Sequence, residues 1–76
     1  MKVRIIRPVA VWANLSKIGI HLVREYPDIF PCVVIETMPE KEAFLAGNKC
    51  AVIPFAYRGQ TRYVIKSELE SSIGSV

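Results

Sequence analysis

Apolar and polar positions alternate most regularly near the end of the chain, from Cys50 to Leu69, and this stretch predicts a β-hairpin. The loop is expected at Tyr57-Arg58-Gly59, where glycine takes a left-handed conformation without steric cost. That loop sets Phe55 opposite Thr61, Ile53 opposite Tyr63 and Ala51 opposite Ile65, which gives one apolar core face. The other face carries Val52, Pro54, Ala56, Arg62, Val64 and Lys66 and reads as a contact surface. Ser67, with Glu70 three residues later, predicts a capped closing turn that points Leu69 inward. Residues 71–76 are small and polar, and are expected to fray.

Upstream the pattern is less regular. Val3 to Trp12 predicts a first strand, and both of its parities are largely apolar. It is therefore sandwiched, or bends near Pro8. Between Ala13 and Pro31 two readings compete. Leu15, Ile18, Leu22, Val23 and Tyr26 fall at helical spacing behind Asn14 as a cap, which gives a helix at about 15–26. Gly19 and the β-branched residues oppose it, and the alternation Ile20, Leu22, Arg24, Tyr26 favours a long loop with a strand-like second half. Tyr26 to Pro31, with two prolines, predicts a turn. Cys32 to Glu36 predicts a short buried strand. A helix over Pro39 to Ala46 follows, from the capping box Thr37/Glu40, Pro39 in the first turn and Gly47-Asn48 as a stop.

The expected fold is mainly β with one short helix. It is either an SH3-like small barrel or a partly open antiparallel sheet, in one domain over residues 1–70. The alternative, with the second helix at about 15–26, is α+β. The order of strand, long loop, strand, tight hairpin and single turn resembles SH3-like small barrels. Ala13 to Pro31 matches their long loop, Arg58-Gly59 their tight turn and Ser67-Glu68-Leu69 their closing turn. The helix from Pro39 would be an insertion. The aromatic groove of signalling SH3 domains is not recognisable, so the resemblance implies a fold and no peptide site.

Composition adds a tension. Only 76 residues carry 51% hydrophobic content, so the apolar surplus either fills a core or meets a partner. The net charge of +3 is uneven: Lys2, Arg4, Arg7, Lys17 and Arg24 come early and Arg58, Arg62 and Lys66 late, around an acidic middle. If the first strand lay beside the hairpin, Arg4 and Arg7 would join Arg62 and Lys66 in one positive surface. No signal peptide or bilayer-length apolar run is visible, and a cytoplasmic location is expected.

Candidate chemistry is sparse. Cys32 and Cys50 lack metal-ligand spacing and each opens an apolar strand. A disulfide between them stays open. His21 is the single histidine, and Glu40 and Glu42 point to different sides of the expected helix. No enzyme activity, metal or cofactor is expected. The expected function is a small non-catalytic binding or adaptor protein that docks on another protein, with self-association as a variant. Its size and composition also suit an accessory or inhibitor protein of a phage or mobile element. Trp12, Tyr26, Phe30 and Arg62 are the candidate protein-binding residues, because aromatics and arginine anchor interfaces. The alternative is a nucleic-acid-binding small barrel using Arg4, Arg7, Arg58, Arg62 and Lys66.

Overall fold

Two pairs of consecutive residues with positive φ organise the second half of the chain: Ala46-Gly47 (52° and 83°) and Arg58-Gly59 (52° and 77°). Positive φ at both loop positions is what a type I′ turn requires, and its twist matches that of paired strands. Each pair therefore closes a two-residue hairpin. The computed structural model describes residues 1–29 and 32–74, for 25–29 the backbone alone.

The strands are β1 (Lys2–Ile5), β2 (Ala10–Asn14), β3 (Leu22–Ile29), β4 (Val33–Glu36), β5 (Lys41–Leu45), β6 (Asn48–Tyr57), β7 (Gln60–Ile65) and β8 (Ile73–Gly74), with one short helix α1 (Lys66–Glu70) between the last two. They form an antiparallel three-stranded sheet in the order β4-β1-β8. A five-stranded sheet has the order β3-β2-β7-β6-β5, and one sheet curls into a half-barrel. The expected class, mainly β with one short helix, holds. No helix among the described residues is long and apolar enough to cross a membrane.

Several local expectations are corrected. Residues 41–45 are strand, not helix: they pair with β6 from Lys41↔Val52 to Leu45↔Asn48. A two-turn helix is marginal without help, whereas β5 gains a full ladder and buries Ala43. The capping hydroxyl is also committed elsewhere, since Thr37 Oγ1 donates to the Met1 carbonyl at 2.7 Å. The short helix is instead α1. Its N-cap is Ile65 without a side-chain cap, so Ser67 does not cap it, although Leu69 does turn inward.

The first strand breaks after Ile5 and resumes at Ala10, as a bend near Pro8 requires. No helix forms at 15–26. A loop leads into β3, which pairs with β2 through to Ala10↔Ile29, so strand replaces the turn expected from Tyr26 as far as Ile29. The register shifts between Val11 and Ala13, and that irregularity accommodates Pro27 within a strand. β4 is a short strand but not a buried one, since only Ile35 of its residues is buried. Beyond α1 the chain does not fray at once: β8 pairs Ile73 with Ile5 and Gly74 with Arg4.

The β6–β7 register differs by one residue from the expectation. Val52 stands opposite Ile65, Pro54 opposite Tyr63 and Phe55 opposite Arg62, because Tyr57 pairs with Gln60 and leaves only Arg58-Gly59 in the loop. Both faces of the hairpin are packed. Phe55 and Val64 join Val3, Ile5, Val9, Val11, Ile35 and Leu69 in one core. Val52 joins Leu22 and Ala43 in a second, covered by Trp12, Cys50, Tyr63 and Ile65. The second core covers the hairpin face that was expected to be a contact surface, so the hairpin has no free cationic face. The wall between the sheets closes at Thr37, which bridges to Phe55, while the Met38 N–H donates to the Pro54 carbonyl at 2.9 Å.

Candidate functional site

Among the described residues, the types that carry chemistry do not converge. His21 stacks on Phe44, ring centroids 5.2 Å apart, at an exposed position. Cys50 is half-buried, Cys32 is exposed just before β4 rather than inside an apolar strand, and both thiols are free. Glu40 and Glu42 do not sit on a helix: Glu40 pairs with Lys66 at 2.8 Å and Glu42 with Lys49 at 3.8 Å. Among the described residues no three histidine, cysteine or acidic side chains gather as a metal site would require. A cavity of about 200 Å³ opens beside α1, lined mainly by Val3, Ile53, Leu69 and Ile73. It is smaller than the roughly 300–1,000 Å³ of ordinary ligand sites.

Of the four expected protein-binding residues, the side chains of two, Trp12 and Arg62, are described. Trp12 is half-buried against the second core, opposite Tyr63, and the Arg24 guanidinium covers its ring at 5.1 Å. Its Nε1 has no hydrogen-bond partner among the described residues. Arg62 is half-buried opposite Phe55, on the side of the first core. Tyr26 lies in β3 with its side chain outside the described residues, and Phe30 lies outside them altogether.

The basic residues are dispersed as well. β1 does not lie beside the hairpin. It runs between β4 and β8, so Arg4 faces outward from the other sheet, and Arg7 is exposed in the bend beyond it. Arg58 sits at the hairpin tip with its guanidinium 4.9 Å over Tyr57. Lys66 lies at the far end of the six-residue β7, about 20 Å from that tip at strand rise, and is neutralised by Glu40. Tyr57 and Tyr63 both pack against cores, which leaves no aromatic stacking platform on this hairpin.

Two other features stand out. The first is the loop between β2 and β3. Asn14 Oδ1 accepts the N–H groups of Ser16 and His21, both at 3.0 Å, so one side chain spans the loop base. Ser16 Oγ accepts the Ile18 N–H at 3.1 Å, and Gly19 supplies the left-handed residue (φ 79°) that returns the chain. The Phe44 N–H donates to the Ile20 carbonyl at 2.8 Å and ties the loop to β5. Held this way, Leu15 and Ile18 remain 70% and 85% exposed, with Lys17 between them. The favoured reading of a long loop holds here, and the competing helix, which would have put Leu15 and Ile18 on one stripe, does not form. The signal that identifies the loop is Asn14 followed by Ser16, residue types that form Asx and Ser/Thr turns.

The second feature is the outer face of the three-stranded sheet, where Arg4 stands between Val34 and Gly74. No protein-family model, curated protein or solved structure matches this chain.

Proposed function

We propose that the protein is a non-catalytic docking protein for another protein, and that the loop carrying Leu15 and Ile18 enters an apolar groove on that partner. The observation that supports this reading is the pairing of high exposure with order. Two aliphatic side chains are left in water by a loop whose backbone is already held by Asn14 and Ser16. Such preorganisation lowers the entropy lost on binding. Lys17 favours an acidic rim on the groove. The anchors first expected at Trp12 and Arg62 give way to this loop, because both are engaged by the protein's own cores. Two free thiols, one exposed, suit the reducing cytoplasm. Small size and composition suit an accessory or inhibitor protein of a phage or mobile element.

The test is affinity capture from source cells with the wild type and with a Leu15→Ser/Ile18→Ser double variant of unchanged thermal midpoint. A protein retained by the wild type and lost by the variant is expected; an identical captured set overturns the reading. The nucleic-acid alternative is less favoured, since Lys66 is ion-paired and Arg58 and Arg4 lie in different sheets. A salt-dependent mobility shift of short DNA or RNA would revive it.

A further inference from the structure

β1 is the middle strand of its sheet, and its alternation sends Val3 and Ile5 into the core and Lys2 and Arg4 outward. Across the sheet, Arg4 is registered with Val34 on β4 and with Gly74 on β8. Gly74 has no side chain, and Ile6 occupies the space above it: a Cβ built there would lie 2.9 Å from Ile6 Cγ2. Arg4 is therefore flanked on both sides by aliphatic groups, Val34 and Ile6, which are 44% and 48% exposed. The carboxylate on this part of the sheet belongs to Glu36, and it is held by the Met1 ammonium at 2.7 Å. Arg4 itself makes no ion pair with the described residues.

We infer that this face is a second docking surface, and that it takes a protein segment presenting a carboxylate between aliphatic side chains. A carboxylate is the natural bidentate partner of an open guanidinium, and burial of the flanking aliphatics excludes water from the pair. A second copy of this chain is the poorer occupant, since the carboxylate its own face could offer Arg4, that of Glu36, is already held by the Met1 ammonium. Nucleic acid is a poorer occupant too. A phosphate would satisfy Arg4, but Val34 and Ile6 offer bases no aromatic surface to stack on. The inference is independent of the Leu15–Ile18 loop, which belongs to the other sheet. With both surfaces the protein is an adaptor joining two partners.

The experiment uses a phage-displayed library of random dodecapeptides, selected on the wild-type protein and depleted on an Arg4→Glu variant. Arg4 is exposed, so the thermal midpoint is expected to stay unchanged; Arg4→Gln serves as the second variant if Arg4→Glu misfolds. The surviving peptides are expected to carry an acidic residue with aliphatic neighbours. Resynthesised, they should lose affinity about tenfold or more on Arg4→Glu or Arg4→Gln, and several-fold on Val34→Ser. They should bind Leu15→Ser/Ile18→Ser like the wild type, which separates this surface from the loop. Selection of no peptide that distinguishes Arg4→Glu, or of peptides lacking a carboxylate, overturns the inference. So does an oligonucleotide whose binding is lost on Arg4→Glu.

Discussion

Trp12 stands opposite Tyr63, and this pair is the register point that joins the β2–β3 hairpin to the meander of β5, β6 and β7. The indole covers the second core from one side while Tyr63 and Ile65 close it from another. Trp12→Ala therefore opens a structural seam. A loss of about 2–4 kcal/mol is expected, somewhat under the cost of truncating a fully buried aromatic, because Trp12 is only half-buried. Urea unfolding measures it. A change within experimental error would show that the two hairpins hold together without the indole.

The tight turns offer the opposite sign. Ala46 adopts φ 52° at a position where an L-residue with a Cβ is strained, and asparagine tolerates that region better. Ala46 is exposed, so nothing packed is lost. Ala46→Asn is expected to stabilise the protein by about 0.5–1 kcal/mol, seen as a raised thermal midpoint. Gly47→Ala, at φ 83°, should destabilise it by about 1–2 kcal/mol. The pair of variants tests the turn from both sides. Equal effects from the two would contradict a two-residue loop with both residues left-handed.

Asn14 has a distinct signature. Its Oδ1 accepts two backbone N–H groups, those of Ser16 and His21. Asn14→Ala should cost about 1–2 kcal/mol. It should also accelerate hydrogen exchange at the Ser16 and His21 amides more than at β6 amides, because the opening is local. Uniform acceleration along the whole chain would mean that the loop and the sheet unfold together, and that Asn14 does not set the loop alone.

The β class and the existence of the β6–β7 hairpin were readable from residue order, because Arg58-Gly59 is a strong turn signal between alternating strands. Its register was not. Moving Tyr57 into or out of the loop exchanges one apolar face for another, and both faces meet a core, so burial gave no vote until the second core was visible. The helix expected over Pro39 to Ala46 failed for a related reason. Local capping signals at Thr37 and Glu40 were outweighed by a long-range ladder to β6, which a local pattern does not contain. The loop between β2 and β3 was the favoured reading, against a helix suggested by the spacing of Leu15, Ile18 and Leu22, but the exposure of Leu15 and Ile18 was not legible. The Val34–Arg4–Gly74 row joins three segments distant in sequence, so only the fold brings it together.

Lys66 and Glu40 provide a prediction about pH. Lys66 opens α1 and its Nζ lies 2.8 Å from a Glu40 carboxylate oxygen, which pins the segment before β5 to the end of β7. The hydrogen bond to Glu40, followed by the charge of that carboxylate, holds the Lys66 pKa above its ordinary 10.5. A group whose pKa is raised on folding contributes stability that is complete below the unfolded value and is lost as pH rises through the folded one. The contribution should therefore be constant through neutrality and fall only above about 10.5. Because the pair is solvent-exposed, salt screens it and the effect on the denaturation midpoint is small. Lys66→Met should leave the midpoint at pH 7 nearly unchanged and flatten the alkaline decline relative to wild type. Adding 0.5 M salt to the wild type should do the same in part. An unaltered alkaline limb in Lys66→Met would assign that decline to other groups.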